Sequence, residues 1–155
     1  MELVENTLDG DLAAFLERPL FCFLATIADG APCVSPLWFL WEDDAIWSIA
    51  DDQKTYPDRI REQPATALAI VDFDQTRGTV QHVGMRGRTT VTPHDPDRAI
   101  RLLTNYLGQD MSECDTTRFP DPNTWGDEMV MLRCAPETIV ARDQSYVPTP
   151  AMNDT

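Results

Sequence analysis

Lys54, the only lysine of the chain, stands just before a predicted helix and is the first candidate for chemistry. The first N–H groups of a helix have no partner inside it, and the helix dipole places partial positive charge there. Thr55 adds a hydroxyl beside them, and Arg59 follows one turn later. Such groups could bind a phosphate. The alternative is an ordinary capped helix with a solvated lysine, because three nearby aspartates compete for the cations.

A second candidate lies in the stretch "HVGMRGR" of residues 82–88, which belongs to a predicted strand at 79–91. His82, Gly84, Arg86 and Arg88 occupy alternate positions, so they share one face of the strand. Gly84 and Gly87 weaken a strand unless a bulge is needed or something approaches the backbone closely. A flat ligand or a second subunit would suit this face. The alternative is that the arginines pair with some of the many carboxylates.

The stretch "SPLWFLW" at 35–41 is apolar on both of its faces. Such a strand is expected to be buried on both sides, in a core together with a dimer interface or a ligand wall. The alternative is that each of these aromatic residues, considered alone, simply packs in the core. No motif of a hydrolase, a metalloprotease, a P-loop or a dinucleotide fold is present, so catalytic residues stay unknown. If the protein is an enzyme, a cofactor is expected to supply the chemistry.

The composition excludes several classes of protein. A net charge of −14 repels phosphate backbones, so we expect no nucleic-acid partner. No apolar run approaches the roughly 20 residues that span a bilayer, and the acidic start lacks the basic region of a signal peptide. We therefore expect a cytoplasmic protein without a membrane partner. One lysine against 18 aspartates indicates adaptation to high salt or a GC-rich genome.

The cysteines do not form a recognisable metal site or disulfide framework. They stand at Cys22, Cys33, Cys114 and Cys134, without a CxxC pair, and the chain has two histidines. We therefore expect no metal. If Asp29-Gly30 forms a two-residue hairpin turn, Cys33 faces Thr26 and Cys22 lies about 13 Å further along, too far for a disulfide. The expectation is four buried, reduced thiols.

The hydrophobic pattern predicts a mainly β protein with short helices. A short helix at 9–17 precedes two apolar runs around Asp29-Gly30 and a third strand at 45–50, which together suggest an antiparallel meander. Prolines at 32 and 36 indicate that the second run has a free edge or a bulge. Further elements are expected in this order: a helix capped by Thr55 and ending near Gln63, strands at 65–74 and 79–91, a helix at 95–107, a loop at 109–127, and one or two strands within 128–143.

Six or seven antiparallel strands with few helices predict a small barrel or sandwich. We expect one domain over residues 1–147 and a frayed tail over 148–155. The order of parts resembles the pyridoxamine 5′-phosphate oxidase-like family of split β-barrel flavoproteins. The matching segments are "FLATIADGAPCVSPLWFLWEDDAIWSIA", a lysine with a short helix ending "REQP", "ALAIVDFD" and "HVGMRGRTTV". The resemblance covers about residues 20–91 and implies an FMN-binding split barrel that forms a homodimer with FMN at the interface.

The resemblance also implies which residues contact the cofactor. The isoalloxazine would lie along the second and third strands, and the phosphate would lie at the lysine. By this carry-over the cofactor-binding residues are Leu37, Trp38 and Phe39, then Ser48, Ile49 and Ala50, then Lys54, Thr55 and Arg59, and finally Gln81 or His82. Two features depart from the family. The phosphate lysine lacks its usual second arginine, and the C-terminal Trp and Arg motif that recognises pyridoxamine phosphate has no counterpart.

The function implied is an FMN-dependent oxidoreductase that transfers hydride through flavin N5, with an unknown small-molecule substrate. Vitamin B6 oxidase activity is not expected. One alternative is a reductase that depends on a deazaflavin coenzyme, although its longer acidic tail needs more positive groups than this chain offers. The other is a non-catalytic barrel that binds flavin, haem or another small molecule.

Overall fold

The computed structural model describes residues 1–110 and 114–150, and one eight-stranded sheet is its main element. The strands are β1 (Glu2–Asn6), β2 (Cys22–Ala28), β3 (Ala31–Leu37), β4 (Leu40–Glu42), β5 (Ala45–Asp51), β6 (Ala65–Asp74), β7 (Thr79–Pro93) and β8 (Met129–Asp143). Three α-helices accompany them: α1 (Leu12–Leu16), α2 (Thr55–Glu62) and α3 (Pro96–Leu107). The mainly β prediction is confirmed. The count exceeds the expected six or seven strands because β1 and β4 were not predicted.

The strands follow the order β3-β2-β6-β7-β8-β5-β4, and β1 pairs with β8 on the side away from β7. All neighbours are antiparallel except β1 and β8, which run parallel. The first part of β8 pairs with β5 and its last part with β1, while β7 follows both. That residues 1–147 form one domain stays a prediction, and positions 151–155 of the predicted tail lie outside the described residues.

The hairpin of β2 and β3 has the predicted register. Ala28 faces Ala31 and Thr26 faces Cys33. Asp29 and Gly30 both have positive φ, 50° and 77°, as a two-residue turn of this twist requires. The predicted free edge is also confirmed, because β3 ends the sheet and its prolines need no ladder donor on that side.

The apolar run at 31–41 is not one strand, and the predicted meander is wrong. The run divides at Trp38 and Phe39 into β3 and β4, which lie at opposite ends of the strand order. The Phe39 N–H donates a hydrogen bond to the Tyr106 hydroxyl at 3.1 Å, so the backbone leaves the ladder at this point for a contact with α3. Residues 38 and 39 therefore carry the chain from one half of the sheet to the other.

A backbone constraint explains one of the two strand glycines. The β7–β8 register shifts between Arg86 and Gly87, where β8 holds one extra residue as a bulge. A Cβ atom on Gly87 would overlap the carbonyl oxygen of Ala135 and lie 2.9 Å from the Cα of Pro136. A Cβ on Gly84 would meet nothing within 4 Å. Only Gly87 is therefore required by the close approach of β8.

The start of α2 differs from the expected capping box. Lys54, and not Thr55, is the N-cap residue, and no side chain caps the helix. The Thr55 hydroxyl instead accepts a hydrogen bond from Arg59 within the helix, at 3.0 Å. The four N-terminal N–H groups of α2 therefore have no side-chain acceptor from the N-cap position.

The core contains two of the four thiols. Cys22 and Cys134 are buried, and burial raises the pKa of both, that of Cys22 to about 12. Cys33 and Cys114 are partly exposed, so the expectation of four buried thiols is wrong for these two. All four are free. A thiol with so high a pKa stays protonated and is a poor nucleophile.

Candidate functional site

The three predicted phosphate residues lie together where β5 leads into α2. Lys54 is exposed, its backbone N–H donates to the Asp51 carbonyl at 2.9 Å, and its ammonium makes no ion pair with a described residue. Arg59 lies one turn into the helix and bonds to Thr55. We call Lys54, Thr55 and Arg59 the lysine corner.

The aspartates around the lysine corner are engaged by other groups. Arg61 contacts Asp52 at 2.7 Å and Asp58 at 2.9 Å. The contact with the Arg61 guanidinium lowers the pKa of Asp52, so this carboxylate stays ionised and paired. Asp51 accepts a hydrogen bond at 2.9 Å from the backbone two residues further on. The Lys54 ammonium is therefore left available to an external anion.

A cavity of about 480 Å³ lies between β5, α3 and the loop that precedes β8. We call it the aromatic pocket. It is lined by Trp38, Ile49, Leu102, Leu103, Arg118, Phe119, Pro120, Trp125, Glu128 and Met129. Its size and mostly apolar lining are typical of small-molecule sites.

One wall of the aromatic pocket is held by Tyr106 of α3. Its ring stacks on Trp38 with centroids 4.5 Å apart and planes 2° apart, and Phe119 also stacks on Trp38 at 5.7 Å. The Tyr106 hydroxyl donates to the Leu20 carbonyl at 2.6 Å and accepts from the Phe39 N–H. Burial raises the pKa of Tyr106 to about 12, so the hydroxyl stays a donor. Trp38 is thus fixed from behind the pocket.

The predicted flavin wall is only partly accessible. Trp38 and Ile49 line the aromatic pocket, whereas Phe39 and Ala50 are buried in the core, with 1% and 2% of their surface exposed. Ser48 is buried, and its hydroxyl donates to the Trp38 carbonyl at 2.9 Å. Leu37 packs against the core at the end of β3. Four of these six residues therefore lie behind the wall, and two form it.

The lysine corner and the aromatic pocket are neighbours. Asp51 pairs with Met129, which lines the pocket, and the Asp52 N–H donates to the Glu128 carbonyl at 2.7 Å. Two residues further on, the chain reaches Lys54. A ligand with an anionic end and a flat ring could therefore use both sites of one chain.

Gln81 and His82 lie far from the other predicted residues. Gln81 donates to Asp143 at 3.1 Å, and the His82 Nε2 is buried with no hydrogen-bond partner in the described part of the chain. Thr92 of the same strand lies in the row of the sheet that holds Ile49. Ten residues of strand separate Thr92 from His82, about 33 Å at strand rise. Along the strand, His82 therefore lies well away from the row that holds Ile49.

His82 belongs to the outer face of the sheet, where β7 also carries Arg86 and Arg88 and the neighbouring strands carry apolar side chains. It pairs with Val71, and residues alternating along β2, β3 and β6 point the same way. We define the outer face by its exposed or partly exposed members Phe23, Val34, Val71, Phe73 and His82. Four of these five side chains are large hydrophobic groups that expose 40–66% of their surface. A contiguous apolar patch of this kind marks an interaction surface.

A network of charges holds α3 over the aromatic pocket. Arg98 and Arg101 both contact Glu42, at 3.0 Å and 2.6 Å, and the Arg98 guanidinium lies 3.6 Å from the Trp47 ring centroid. Hydrogen bonds from Arg101, and then from Arg98, lower the pKa of Glu42. The network ties α3 to the β4–β5 turn and thereby fixes Tyr106 behind Trp38.

The sequence reasoning missed the pocket residues outside the strands. Arg118, Phe119 and Trp125 of the pocket fall in the predicted polar loop at 109–127, whose positions 111–113 lie outside the described residues. Tyr106, which lies behind the pocket, falls in the predicted helix at 95–107. A usable signal was present, because Phe119 and Trp125 are large aromatics in a stretch that is otherwise polar. Such residues need burial or a ligand.

Two further observations concern the described residues alone. No group of three or more His, Cys, Asp or Glu side chains among them could hold a metal ion. Within residues 1–110 and 114–150, no helix has the length and apolar composition that crossing a membrane would need.

The comparisons with known proteins agree on the fold. The family model "Pyridoxamine 5'-phosphate oxidase" matches residues 8–139, and no curated protein matches the chain. The conserved hypothetical protein Rv2991 from Mycobacterium tuberculosis superposes with a TM-score of 0.71 at 20% identity, over 92% of this chain and 89% of that one. An F420 reductase superposes with a TM-score of 0.64 at 22% identity, over 85% of this chain and 98% of that one. The FAD and haem binding protein from Mycobacterium smegmatis superposes with a TM-score of 0.66 at 14% identity, over 91% of this chain and 75% of that one. The split-barrel prediction is confirmed.

Proposed function

The chain belongs to the pyridoxamine 5′-phosphate oxidase family, and from that membership we propose that it is an FMN-dependent oxidoreductase that works as a homodimer. The observation that carries the proposal is the lysine corner. Lys54 has no described acidic partner, because Arg61 and a backbone N–H engage the three nearby aspartates. Bound FMN would supply hydride transfer through its N5 atom.

The arrangement of the two neighbouring sites supports this cofactor. The phosphate would be held by the Lys54 ammonium, the Thr55 hydroxyl and the uncapped N-terminus of α2. The ring would extend towards Trp38 and Ile49, the two predicted wall residues at the aromatic pocket. Arg59 adds positive charge one turn along the helix.

Replacing Lys54 with alanine is expected to weaken FMN binding by about 1.5–3 kcal/mol, because a charge-assisted hydrogen bond to the phosphate is lost. Riboflavin has the same ring without the phosphate, so its affinity is expected to stay the same. Quenching of flavin fluorescence gives both dissociation constants. An equal loss for FMN and riboflavin would remove Lys54 from the phosphate site.

Two controls use the fact that Lys54 is the only lysine. Lys54→Arg keeps the charge and is expected to retain most of the FMN affinity. In the native chain, FMN should protect the Lys54 amine from an amine-reactive acetylating reagent, and riboflavin should not. Mass spectrometry of the peptide that contains residue 54 gives the modified fraction. Acetylation at the same rate with and without FMN would contradict the proposal.

The homodimer is supported by the separation of His82 from the lysine corner. The family resemblance assigns both to one cofactor, yet about 33 Å of strand lies between His82 and the row of Ile49. A second copy that packs on the outer face could bring its own His82 to the neighbouring site. Gly84, beside this face, leaves the backbone open to close approach. A dimer partner or the flavin could then satisfy the His82 Nε2, which lacks a partner among the described residues.

Val71→Asp is expected to convert the protein from a dimer to a monomer, because it buries an unpaired charge in the outer face. Val147→Asp is the matched control, since Val147 is 94% exposed and lies outside that face. Light scattering after size exclusion should give twice 17.5 kDa for the native chain and the control. About 1 M salt screens repulsion between the acidic chains. A native mass of one chain would refute the dimer.

A deazaflavin coenzyme is the second candidate cofactor. The shared fold of the F420 reductase favours it, and the phosphate site proposed at Lys54 could serve either coenzyme. Incubation of the purified protein with FMN or with the deazaflavin coenzyme, followed by removal of unbound ligand, separates the two. Retention of neither would favour the non-catalytic small-molecule barrel. We also propose that the protein is cytoplasmic.

A further inference from the structure

The lining of the aromatic pocket suits a flat ligand. Trp38, Phe119 and Trp125 contribute three aromatic rings, and each residue is only partly buried. Leu102 and Met129 belong to the aliphatic part of the lining. Covering the remaining apolar surface of such rings is favourable, and an aromatic ligand gains further from stacking.

The pocket also carries a cation without an anionic partner. The Arg118 guanidinium makes no ion pair with a described residue. Its Cζ atom lies 5.7 Å from the ring centroid of Phe119. The side chain is exposed at the pocket.

Three carboxylates of the loop are engaged in turns. Asp115 accepts hydrogen bonds from the backbone two and three residues further on, at 3.0 Å and 3.3 Å. Asp121 accepts from the backbone and side chain of Asn123, at 3.0 Å and 3.1 Å. Glu128 accepts from the backbone of Gly126 at 3.3 Å. Arg118 is thus exposed at the pocket without an ion pair to a described residue.

We propose that the aromatic pocket binds the substrate, and that this substrate is a planar aromatic compound with a single anionic group held by Arg118. The single charge follows from Glu128, because its carboxylate lines the same pocket and repels a second negative group. The role of the ligand as substrate rests on the proposed oxidoreductase function. The existence of the binding site does not.

Three small molecules test the site. 2-Naphthoate is a planar aromatic monoanion, 2-naphthamide is its neutral analogue, and cyclohexanecarboxylate carries the charge without the flat ring. Calorimetric titration of the native chain is expected to give 2-naphthoate about tenfold tighter binding than 2-naphthamide, since a hydrogen bond to a charged group is worth about that factor. It should also bind more tightly than cyclohexanecarboxylate, which lacks an aromatic ring for stacking. The titration is repeated on protein saturated with FMN, where 2-naphthoate is expected to bind without displacing the flavin.

Arg118→Gln is the decisive variant, with Arg77→Gln as the matched control. Arg77 lies in the turn between β6 and β7, outside the aromatic pocket. The first variant is expected to lose about tenfold in 2-naphthoate affinity and to keep 2-naphthamide affinity within about twofold, whereas the control changes neither. Because Arg118 is exposed, the fold should survive, and circular dichroism checks this.

Three results would overturn the proposal: no binding of 2-naphthoate, unchanged affinity in Arg118→Gln, or displacement of FMN by 2-naphthoate. The last would assign the whole pocket to the flavin ring. If the protein rejects FMN but keeps Arg118-dependent binding of 2-naphthoate, the ligand site is upheld, and its role as a substrate site falls with the proposed function. Failure of the site and failure of the function therefore give different results.

Discussion

Replacing Phe39 with alanine is expected to lower the free energy of unfolding by about 3–5 kcal/mol, the usual cost of removing a buried aromatic side chain. Phe39 exposes 1% of its surface and belongs to the main core. Its neighbour Trp38 is only partly buried and stacks on Tyr106, so Trp38→Ala should cost less, about 1–2 kcal/mol. For flavin affinity we expect the reverse order, with the larger loss in Trp38→Ala.

This pair of variants separates a core role from a wall role within one dipeptide. Urea unfolding followed by far-UV circular dichroism gives the stability, and flavin fluorescence gives the affinity. Phe39→Leu is the control, since it retains most of the volume and should cost less than about 1.5 kcal/mol. If Phe39→Ala kept its stability and lost the flavin, Phe39 would be a wall residue, as the family resemblance implies.

Gly87→Ala is the second substitution with a large expected effect, a loss of about 2–3 kcal/mol in the free energy of unfolding. The added Cβ would overlap the Ala135 carbonyl oxygen and crowd Pro136. Both contacts are with the backbone of β8, so no side-chain rotation can relieve them. The strands must separate, and the ladder next to the bulge weakens.

Gly84→Ala is the matched control, because it makes the same change in the same strand where a Cβ meets nothing within 4 Å. Its expected effect on stability is within about 0.5 kcal/mol. Urea unfolding of both variants is compared at the same low protein concentration, so that association through the outer face contributes little. Equal losses at the two positions would show that the approach of β8 is not the cause.

Local turn chemistry is the part of this fold that could be predicted in detail. Asp29 and Gly30 adopt positive φ readily, and this alone sets the register that places Thr26 opposite Cys33. The alternation in "HVGMRGR" likewise predicted which residues share a face, and β7 is indeed buried on one side. Both features depend on residues close in sequence.

Features that depend on distant residues could not be predicted. The division of the 31–41 run requires Tyr106, 67 residues from its partner Phe39. β1 carries no hydrophobic pattern of its own, with four of its five residues exposed. At the site, Lys54 was identified from its residue type and position. Its lack of a described partner depends on which carboxylates Arg61 reaches, and that is a matter of side-chain conformation.

The parallel pairing of β1 with β8 has a consequence for the order of folding. Glu2 pairs with Thr138, so these partners are separated by 136 residues of chain. At about 5–20 residues per second, a ribosome needs roughly 7–30 s to synthesise the stretch between them. Throughout that time β1 has no partner, whereas the β2–β3 hairpin can close within microseconds. β1 is therefore synthesised long before its partner, and until β8 is made the edge of β1 stays open to a second nascent chain.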